Sequence, residues 1–394
     1  MPSARFTDHA PERFAPTREA ALLRVAAIRP DDYALSRNAL DGAVTRLSPY
    51  LTHGFLSLPH VHAMLSARHA LGRQHKLIYE FGCREYWHHV WSHRGDGIFD
   101  SLHDGLLPDD AYSKELPADI REGRTGLPVV DRAMRELYAS GYLHNHVRMW
   151  LASYVVHLRK VHWRAGADWL YAHLLDGDLV SNHLSWQWIA ATASQKPYLF
   201  NADNVARFAP AAWHSAGTVI DTTYEALDAI ARRRATVTIE AVVDGISEPE
   251  LMATPPATLD FSAADALAVK GRDVWLVHPW SLDAPPADLP AGTLVVAIAI
   301  ADWHATRQWS QARWEFVGAR QRELASLRWY GDLKTLRAAL AQARSVYAID
   351  DAHYAHALRQ LTADITLRPV ARLFAPVEPL CESFTQWWHR TRLA

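Results

Sequence analysis

The spacing of apolar residues divides the chain into three regions. In residues 1–215 apolar positions recur every three or four residues, which is the repeat of amphipathic helices. The clearest case lies between Asn145 and Trp163 and predicts one long helix there. Its apolar stripe consists of Val147, Leu151, Tyr154, Leu158 and Val161. Residues 1–215 are therefore predicted to be helical almost throughout.

Two further segments repeat the helical pattern, Asp131–Leu137 and Asp168–Leu175. Ser57 followed by Pro59 is typical of a helix start, because serine caps the first turn and proline is tolerated within it. Residues 216–270 mix a charged run, Ala231–Ile239, with paired prolines. This composition predicts a connector with one or two short helices.

The pattern changes again in residues 271–394, where short β-branched runs are typical of buried parallel strands. The predicted strands are Val274–Val277, Thr293–Ile300 and Ser345–Ile349. The predicted helices between them are Ala312–Leu327 and Leu333–Ala343. Strands that alternate with helices indicate a small doubly wound α/β domain. The fold class is thus multidomain, a helical domain followed by an α/β domain.

The composition excludes few classes of function. The 394 residues include 16 tryptophans, which suit a core, an aromatic binding surface or an electron-transfer chain. The formal net charge is −2 and the pI about 6.9, so binding to nucleic acid would need a local basic patch. Two distant cysteines allow neither a disulfide framework nor a CxxC metal site. No metal site is expected at His144 and His146, which lack further ligands nearby.

The amino terminus is polar and has no apolar segment of the secretory type. No apolar run approaches about 18 residues, so no membrane span is expected. A cytoplasmic protein is predicted.

The segment Val44–Ser48 contains two hydroxyl groups and a guanidinium group ahead of a helix. Such groups can bind a phosphate, and they are equally typical of a capped turn with a surface arginine. Further along, Asp176 and Asp178 flank a glycine, and Asn182 lies one helical turn beyond Asp178. This pair could bind a metal, act in catalysis, hydrogen-bond a polar heterocycle or cap a helix. Arg148, if buried, needs a carboxylate partner, and Asp176 is the predicted one.

Taken in order, five blocks resemble the flavin domain of the DNA photolyase and cryptochrome family. They cover about residues 31–210, roughly half of the chain. The blocks are Thr45–Leu51; Glu80 with Arg84–Tyr86; Glu122–Arg135; His144–Asn145 with Arg148–Met149; and Asp176–Asp178 with Asn182 and Trp186–Trp188.

The resemblance implies a helical domain that binds FAD in a U-shaped conformation. Asp178 would then hydrogen-bond the flavin ring, Asn182 would face its N5 atom, and Arg148 would pair with Asp176 over the ring. The implied FAD contacts are Tyr33, Thr45, Arg46, Leu47, Ser48, Glu80, Arg84, Asn145, Arg148, Asp176, Asp178 and Asn182. Thr45 to Ser48 would hold the pyrophosphate.

The family also reduces its excited flavin through a tryptophan chain. Trp186 matches the proximal position and Trp163 the middle one, whereas the distal position is Ile120. Isoleucine cannot carry an electron hole. Either the chain is truncated, or another aromatic residue replaces the distal member. The candidates are Trp150, Trp169 and Tyr171.

For function, the resemblance implies blue-light-driven repair of cyclobutane pyrimidine dimers in DNA, a carbon–carbon lyase activity. Glu80, Asn145 and Met149 match that pattern and would act on damaged DNA together with Trp186 and Trp163. The (6-4)-type enzymes have histidine at the position of Asn145, so that lesion is not the expected one.

Departures from the pattern favour the alternative, a cryptochrome-type blue-light photoreceptor without repair activity. Cys83 stands where photolyases stack a tryptophan on the lesion, Tyr142 replaces another tryptophan, and Val44 replaces a threonine. A third alternative is a structural domain that has lost FAD.

The order of domains is unusual for the family, which carries an α/β antenna domain before the flavin domain. Here the α/β unit follows, and its segment from Arg313 to Leu327 faintly resembles the first half of that antenna domain. The chain is therefore expected to be a short member without the N-terminal antenna domain. Its residues 271–394 are then either a relocated antenna-like domain or an unrelated α/β domain, and an antenna pigment cannot be identified from the sequence.

Overall fold

The structure, a computed structural model, describes residues 13–237, 244–362 and 364–394. The first twelve residues of the predicted helical region lie outside the described residues. The same holds for residues 238–243 of the predicted connector, which include the end of the charged run Ala231–Ile239.

The described part of the chain starts with five α-helices, and the cap predicted at Ser57 is present. Ser57 Oγ accepts a hydrogen bond from the backbone N–H of His60 at 3.3 Å. The fifth helix is the longest of them and passes alongside both later parts of the fold. The helices are α1 (Arg18–Ala27), α2 (Pro30–Ser36), α3 (Ser48–Thr52), α4 (Leu58–Ser66) and α5 (Lys76–Arg94).

Seven further helices follow, and the predicted single helix from Asn145 to Trp163 is wrong. The chain there passes through a π-helical turn, Tyr154–Leu158, and Lys160 adopts a left-handed conformation with φ of 51°. The Lys160 ammonium is buried and donates to the carbonyls of His157, Ile230 and Ala231 at 2.6–2.9 Å, which fixes the break. The helices are α6 (Ala118–Arg121), α7 (Pro128–Ser140), α8 (Asn145–Ser153), α9 (Trp163–His173), α10 (Leu179–Ala190), α11 (Ala202–Phe208) and α12 (Tyr224–Ala231).

From residue 251 onward the chain alternates strands and helices. The first strand has two residues and pairs antiparallel with Trp309–Ser310. The strands are β1 (Leu251–Met252), β2 (Asp273–Val277), β3 (Leu294–Ile300), β4 (Trp309–Ser310), β5 (Leu327–Gly331), β6 (Ser345–Asp350) and β7 (Ile365–Pro369). The helices are α13 (Ala266–Val269), α14 (Ala301–Thr306), α15 (Gln311–Leu324), α16 (Leu333–Leu340), α17 (Ala355–Leu361) and α18 (Phe384–Arg390).

Five of these strands form one parallel sheet in the order β5-β3-β2-β6-β7. The three predicted strands correspond to β2, β3 and β6, so the α/β prediction is confirmed. Strands β5 and β7 were not predicted, because they are edge strands whose polar, half-exposed residues lack a continuous apolar run. The helix predicted over Ala312–Leu327 ends earlier, at Leu324. Leu327, the last residue of the prediction, is instead the first residue of β5.

β2 lies at the centre of the sheet. From β2 the chain adds β3 and β5 on one side and later β6 and β7 on the other side, so the strand order reverses between β2 and β6. In sheets of this kind ligands bind in the crevice outside the carboxyl ends of the two strands at the reversal. The segments that leave those ends carry Trp280 after β2, and Asp351 and His353 after β6. All three are buried against the helical part of the protein.

The hydrophobic core does not divide where the chain changes from helices to strands. One apolar cluster joins α1–α5 to the α/β part, and a second cluster lies within residues 120–227. The carboxyl-terminal segment also binds α5 and so strengthens the packing of the helices on the α/β part. The carboxylate of Glu85 on α5 accepts from the backbone N–H groups of Leu373 and Phe374 at 2.6 and 3.1 Å. Of the helices described, none is both long and apolar enough to cross a membrane.

Candidate functional site

A cavity of about 150 Å³ lies between α5, α8, α9 and α10. It brings together residues that the sequence separates by more than 130 positions. The predicted site residues that line it are Ser48, Arg84, Asn145, Arg148, Met149, Asp176, Asp178, Asn182 and Trp186. The predicted residues outside its lining are Tyr33, Thr45, Arg46, Leu47, Glu80 and Trp163.

One wall of the cavity is an ion pair. Nη2 of Arg148 donates to both carboxylate oxygens of Asp176, at 3.0 and 2.8 Å, and Nε donates to the carbonyl of Leu143 at 2.9 Å. The Asp176 side chain is 2% exposed, so its charge needs this partner. The pairing that the sequence predicted is confirmed.

Asp178 is the most strongly constrained carboxylate in the cavity. Its Oδ2 atom lies 3.1 Å from Nε2 of His88 and 3.5 Å from Nη1 of Arg84, and it accepts from the Ser181 hydroxyl. Burial alone would raise the pKa of Asp178, but the charges of His88 and Arg84 outweigh it and hold the pKa well below its usual range. Asp178 is therefore an anion. Its other oxygen, Oδ1, is buried and has no hydrogen-bond donor among the described residues.

Asn182 and Trp186 lie on successive turns of α10. Nδ2 of Asn182 donates to the carbonyl of Ala167 at 2.8 Å, which orients the amide and leaves its second N–H and its oxygen to bind a ligand. The indole of Trp186 lies directly over Gly166 of α9, where a Cβ atom would come within 2.3 Å of the ring. A glycine at this position is what lets the indole approach the helix.

The predicted pocket mouth lies beside α5. The carboxylate of Glu80 is ion-paired with Lys76 at 3.2 Å and with Arg37 at 3.4 Å. Burial, followed by the nearby charge of Glu80, raises the pKa of Tyr33 above its usual value. The same two causes raise the pKa of Cys83 to about 12, so its thiol is neutral.

The segment predicted to hold a phosphate leads directly into the cavity. Thr45 Oγ1 accepts from the backbone N–H of Leu47 at 3.4 Å, and Arg46 has a positive φ of 48°. Leu47 is 1% exposed and packs in the core, while Ser48 starts α3 and lines the cavity. The hydrogen bond from Leu47 gives Thr45 a turn-forming role.

The three positions of the predicted electron path, Trp186, Trp163 and Ile120, lie in the second apolar cluster, within residues 120–227. Trp163 is 3% exposed and its indole N–H donates to Ser101 Oγ at 2.9 Å, while Ile120 is fully buried. Among the replacements considered for the distal position, Trp169 is the one nearest the surface, at 9% exposure. Its indole N–H donates to Glu248 Oε1 at 2.8 Å.

A second, larger cavity of about 720 Å³ opens at the reversal point of the sheet. It lies between the α/β part and the helices, and Arg84 lines both cavities. The aromatic and charged residues in its wall include Trp275, Trp280, His353, Arg359 and Arg372.

Sequence analysis missed three residues that touch Asp178, namely His88, Ser181 and His353. His88 lies four residues after Arg84 on the same face of α5, and Ser181 lies three residues after Asp178, so helical spacing could have indicated both. No such signal exists for His353, because it follows Asp178 by 175 positions and belongs to the α/β part.

The helical part of the chain resembles a known family of proteins. Residues 77–222 match the family model of the FAD binding domain of DNA photolyase. This part of the chain is thus similar to the FAD-binding domain of the DNA photolyase and cryptochrome family, which is the resemblance that the sequence predicted.

Relatives of both kinds resemble it. A deoxyribodipyrimidine photo-lyase of Streptomyces griseus is 34% identical over 167 residues, which are 41% of this chain and 36% of that protein. Cryptochrome-1 of Arabidopsis thaliana is 31% identical over 189 residues, which are 44% of this chain and 27% of that protein. A solved cryptochrome structure from Synechocystis has a TM-score of 0.45 at 27% identity and covers 52% of this chain and 46% of that one. The chain thus spans about a third of the length of these curated relatives.

The family implies FAD, and the chemistry of the cavity fits one end of that cofactor. Oxidised isoalloxazine has a single ring N–H, the imide, and the unpartnered Oδ1 of Asp178 is an acceptor for such a donor. Asn182 on the same lining has an amide with a second N–H and an oxygen, so it can donate to N5 of oxidised flavin or accept from the N–H at N5 of reduced flavin. A volume of about 150 Å³ encloses part of a ligand as large as FAD.

Proposed function

We propose that this protein binds FAD and repairs cyclobutane pyrimidine dimers in DNA under blue light. The observation that supports this most is that Asn145 and Met149 line the same cavity as Asp178 and Asn182. When bound and reduced, light-excited FAD supplies the electron that splits the dimer.

The chain's own residues bind and orient the cofactor. Asp178 accepts from the ring imide through Oδ1, while Arg84 and His88 keep its carboxylate ionised. The Arg148–Asp176 pair keeps a rigid polar wall at the cavity, because two hydrogen bonds from one nitrogen fix both side chains. Trp186 closes the inner end and excludes water.

The damaged bases bind at the mouth beside α5. A dimer reaches the cavity only when it flips out of the duplex. Glu80 accepts hydrogen bonds from the flipped bases, and Lys76 and Arg37, which flank it, offer positive charge to the DNA backbone. Asn145 is exposed and lies next to Met149, with its Nδ2 atom 3.4 Å from the methionine sulfur.

The test combines cofactor and substrate. The purified protein is reconstituted with FAD, its absorption spectrum is recorded, and it is illuminated with an oligonucleotide that contains one dimer. Loss of the dimer in blue light, and not in the dark, is expected. Flavin absorption without dimer loss removes the repair activity and leaves a flavoprotein. Absence of FAD binding leaves a structural domain.

The second candidate is a photoreceptor without repair activity, and Cys83 favours it. A cysteine cannot stack on a base, and base–aromatic stacking contributes about 1–3 kcal/mol. For a photoreceptor, flavin photoreduction should change the conformation of the protein. Limited proteolysis in light and dark then differs, while dimer-containing DNA stays intact.

We further propose that residues 271–394 are a relocated antenna-like domain. The cavity of about 720 Å³ at the sheet reversal supports this, because its volume lies in the range of pockets that enclose small molecules. Extraction of the natively purified protein should release a second visible chromophore besides the flavin. Release of flavin alone argues for an unrelated α/β domain.

A further inference from the structure

His353 connects the α/β part to the carboxylate predicted to face the flavin. It lies in the segment between β6 and α17 and is 4% exposed. Its Nε2 atom lies 3.2 Å from the backbone N–H of Leu179, the first residue of α10. The same atom lies 3.4 Å from Oδ1 of Asp178.

The neighbours of His353 determine where its proton lies. Nδ1 lies 2.7 Å from a carboxylate oxygen of Asp351, which can only accept, so Nδ1 carries the hydrogen. Nε2 then has a lone pair and accepts from the N–H of Leu179. Trp280 stacks on the imidazole with a centroid separation of 4.4 Å and an interplanar angle of 7°, which holds the ring in this orientation.

The start of α10 lacks the usual capping hydrogen bond from its N-cap side chain. Asp178 is its N-cap residue, and an aspartate there normally accepts from a backbone N–H of the first turn. In this protein the Asp178 side chain makes no capping hydrogen bond. His353 accepts from the N–H of Leu179, the first residue of the helix, which an N-cap side chain does not normally reach, and Asp178 keeps Oδ1 free of any donor among the described residues.

We propose that His353 is a positioning residue of the flavin site: by accepting from the Leu179 N–H it holds the start of α10, and with it Asp178, in the orientation that leaves the Asp178 carboxylate to the cofactor. This inference rests on the proposed binding of FAD. It makes the docking of the α/β part a requirement for a complete flavin site. Without the histidine acceptor, the first residue of α10 and Asp178 beside it would lose this anchor, and the carboxylate would shift away from the flavin imide.

The deciding variants are His353→Phe and His353→Gln in the full-length protein. Phenylalanine keeps an aromatic ring on Trp280 and removes both hydrogen bonds. Glutamine keeps an amide oxygen that can accept from Leu179. His356→Phe is the matched control, because His356 is an exposed histidine three residues further on, in the first turn of α17.

The readout is the dissociation constant for two probes, FAD and its analogue methylated at the ring imide nitrogen. The analogue has no ring N–H to donate to Asp178. His353→Phe should weaken FAD binding about tenfold or more, as expected for one lost hydrogen bond to a charged group. The same variant should bind the methylated analogue as the wild type does, and His353→Gln should retain most of the FAD affinity.

Other outcomes overturn the inference in distinguishable ways. Equal weakening of both probes in His353→Phe would mean that the residue acts on the fold of the pocket and not through Asp178. Unchanged FAD affinity in a folded His353→Phe protein would remove the role of His353 altogether. Failure of the wild type itself to bind FAD would refute the proposed function. If His353→Phe does not fold, a large loss of FAD affinity in folded His353→Gln overturns the inference, and retained affinity supports it.

Discussion

Arg148 and Asp176 hold each other through a single nitrogen, Nη2, which donates to both carboxylate oxygens at 3.0 and 2.8 Å. Removal of either partner leaves a buried charge without compensation. Arg148→Met and Asp176→Asn should therefore each lower the free energy of unfolding by about 3–5 kcal/mol. Denaturation in urea measures the loss.

The double variant of this pair should be less destabilised than the two single variants together, since no charge then stays unpaired. Arg232 and Asp228 are the control, a more exposed pair four residues apart at the carboxyl end of α12. Arg232→Met should lower the free energy of unfolding by only about 0.3–0.5 kcal/mol. Strict additivity in the buried pair would show that the two side chains do not interact.

Gly166 is the position against which Trp186 packs. Gly166→Ala places a methyl group within 2.3 Å of the indole, so the ring or the helix must shift. We expect a loss of about 1–3 kcal/mol of unfolding free energy and a changed tryptophan emission spectrum. Gly72→Ala is the control, because a Cβ atom there has nothing within 4 Å. Unaltered stability in Gly166→Ala would mean that the indole is not held against α9.

Glu248 joins the connector to the helices through hydrogen bonds from Arg121, Trp169 and His173. Burial opposes ionisation, but these bonds outweigh it and lower the pKa of Glu248 to about 2. The ionised carboxylate therefore stabilises the fold above its ordinary pKa of about 4.5, and this contribution is lost as the pH falls toward 2.

Glu248→Gln should accordingly destabilise the protein at pH 7 by about 1–3 kcal/mol. The difference from the wild type should shrink by about 1 kcal/mol at pH 3.5, one pH unit below the ordinary value. Urea unfolding at both pH values measures it, with Glu250→Gln as the exposed control. A difference independent of pH would argue against ionised Glu248 as the stabilising species.

A substitution at Cys83 tests the proposed binding of DNA beside α5. Cys83→Trp restores an aromatic surface for a flipped base, so affinity for dimer-containing DNA should rise about tenfold or more. Fluorescence anisotropy with matched damaged and undamaged oligonucleotides gives the ratio, and Cys83→Ala is the control for loss of the thiol. Equal affinity of all three proteins for both oligonucleotides would place the lesion site elsewhere.

The sequence by itself determined what depends on neighbours along the chain. The strands β2, β3 and β6 follow from continuous apolar runs, the cap at Ser57 from its position, and the similarity to an FAD-binding domain from five ordered blocks. The Arg148–Asp176 pair was also predictable, because a buried guanidinium requires a carboxylate and the choice was small.

Only the tertiary structure decided what depends on distant segments. The break before Trp163 arises because buried Lys160 binds carbonyl groups from α12, and the edge strands β5 and β7 exist because a sheet supplies their partners. The surroundings of Asp178 are the clearest case. Its carboxylate lies near His353 of the α/β part, and no local pattern links residues that meet only when the two parts of the chain pack on a shared core.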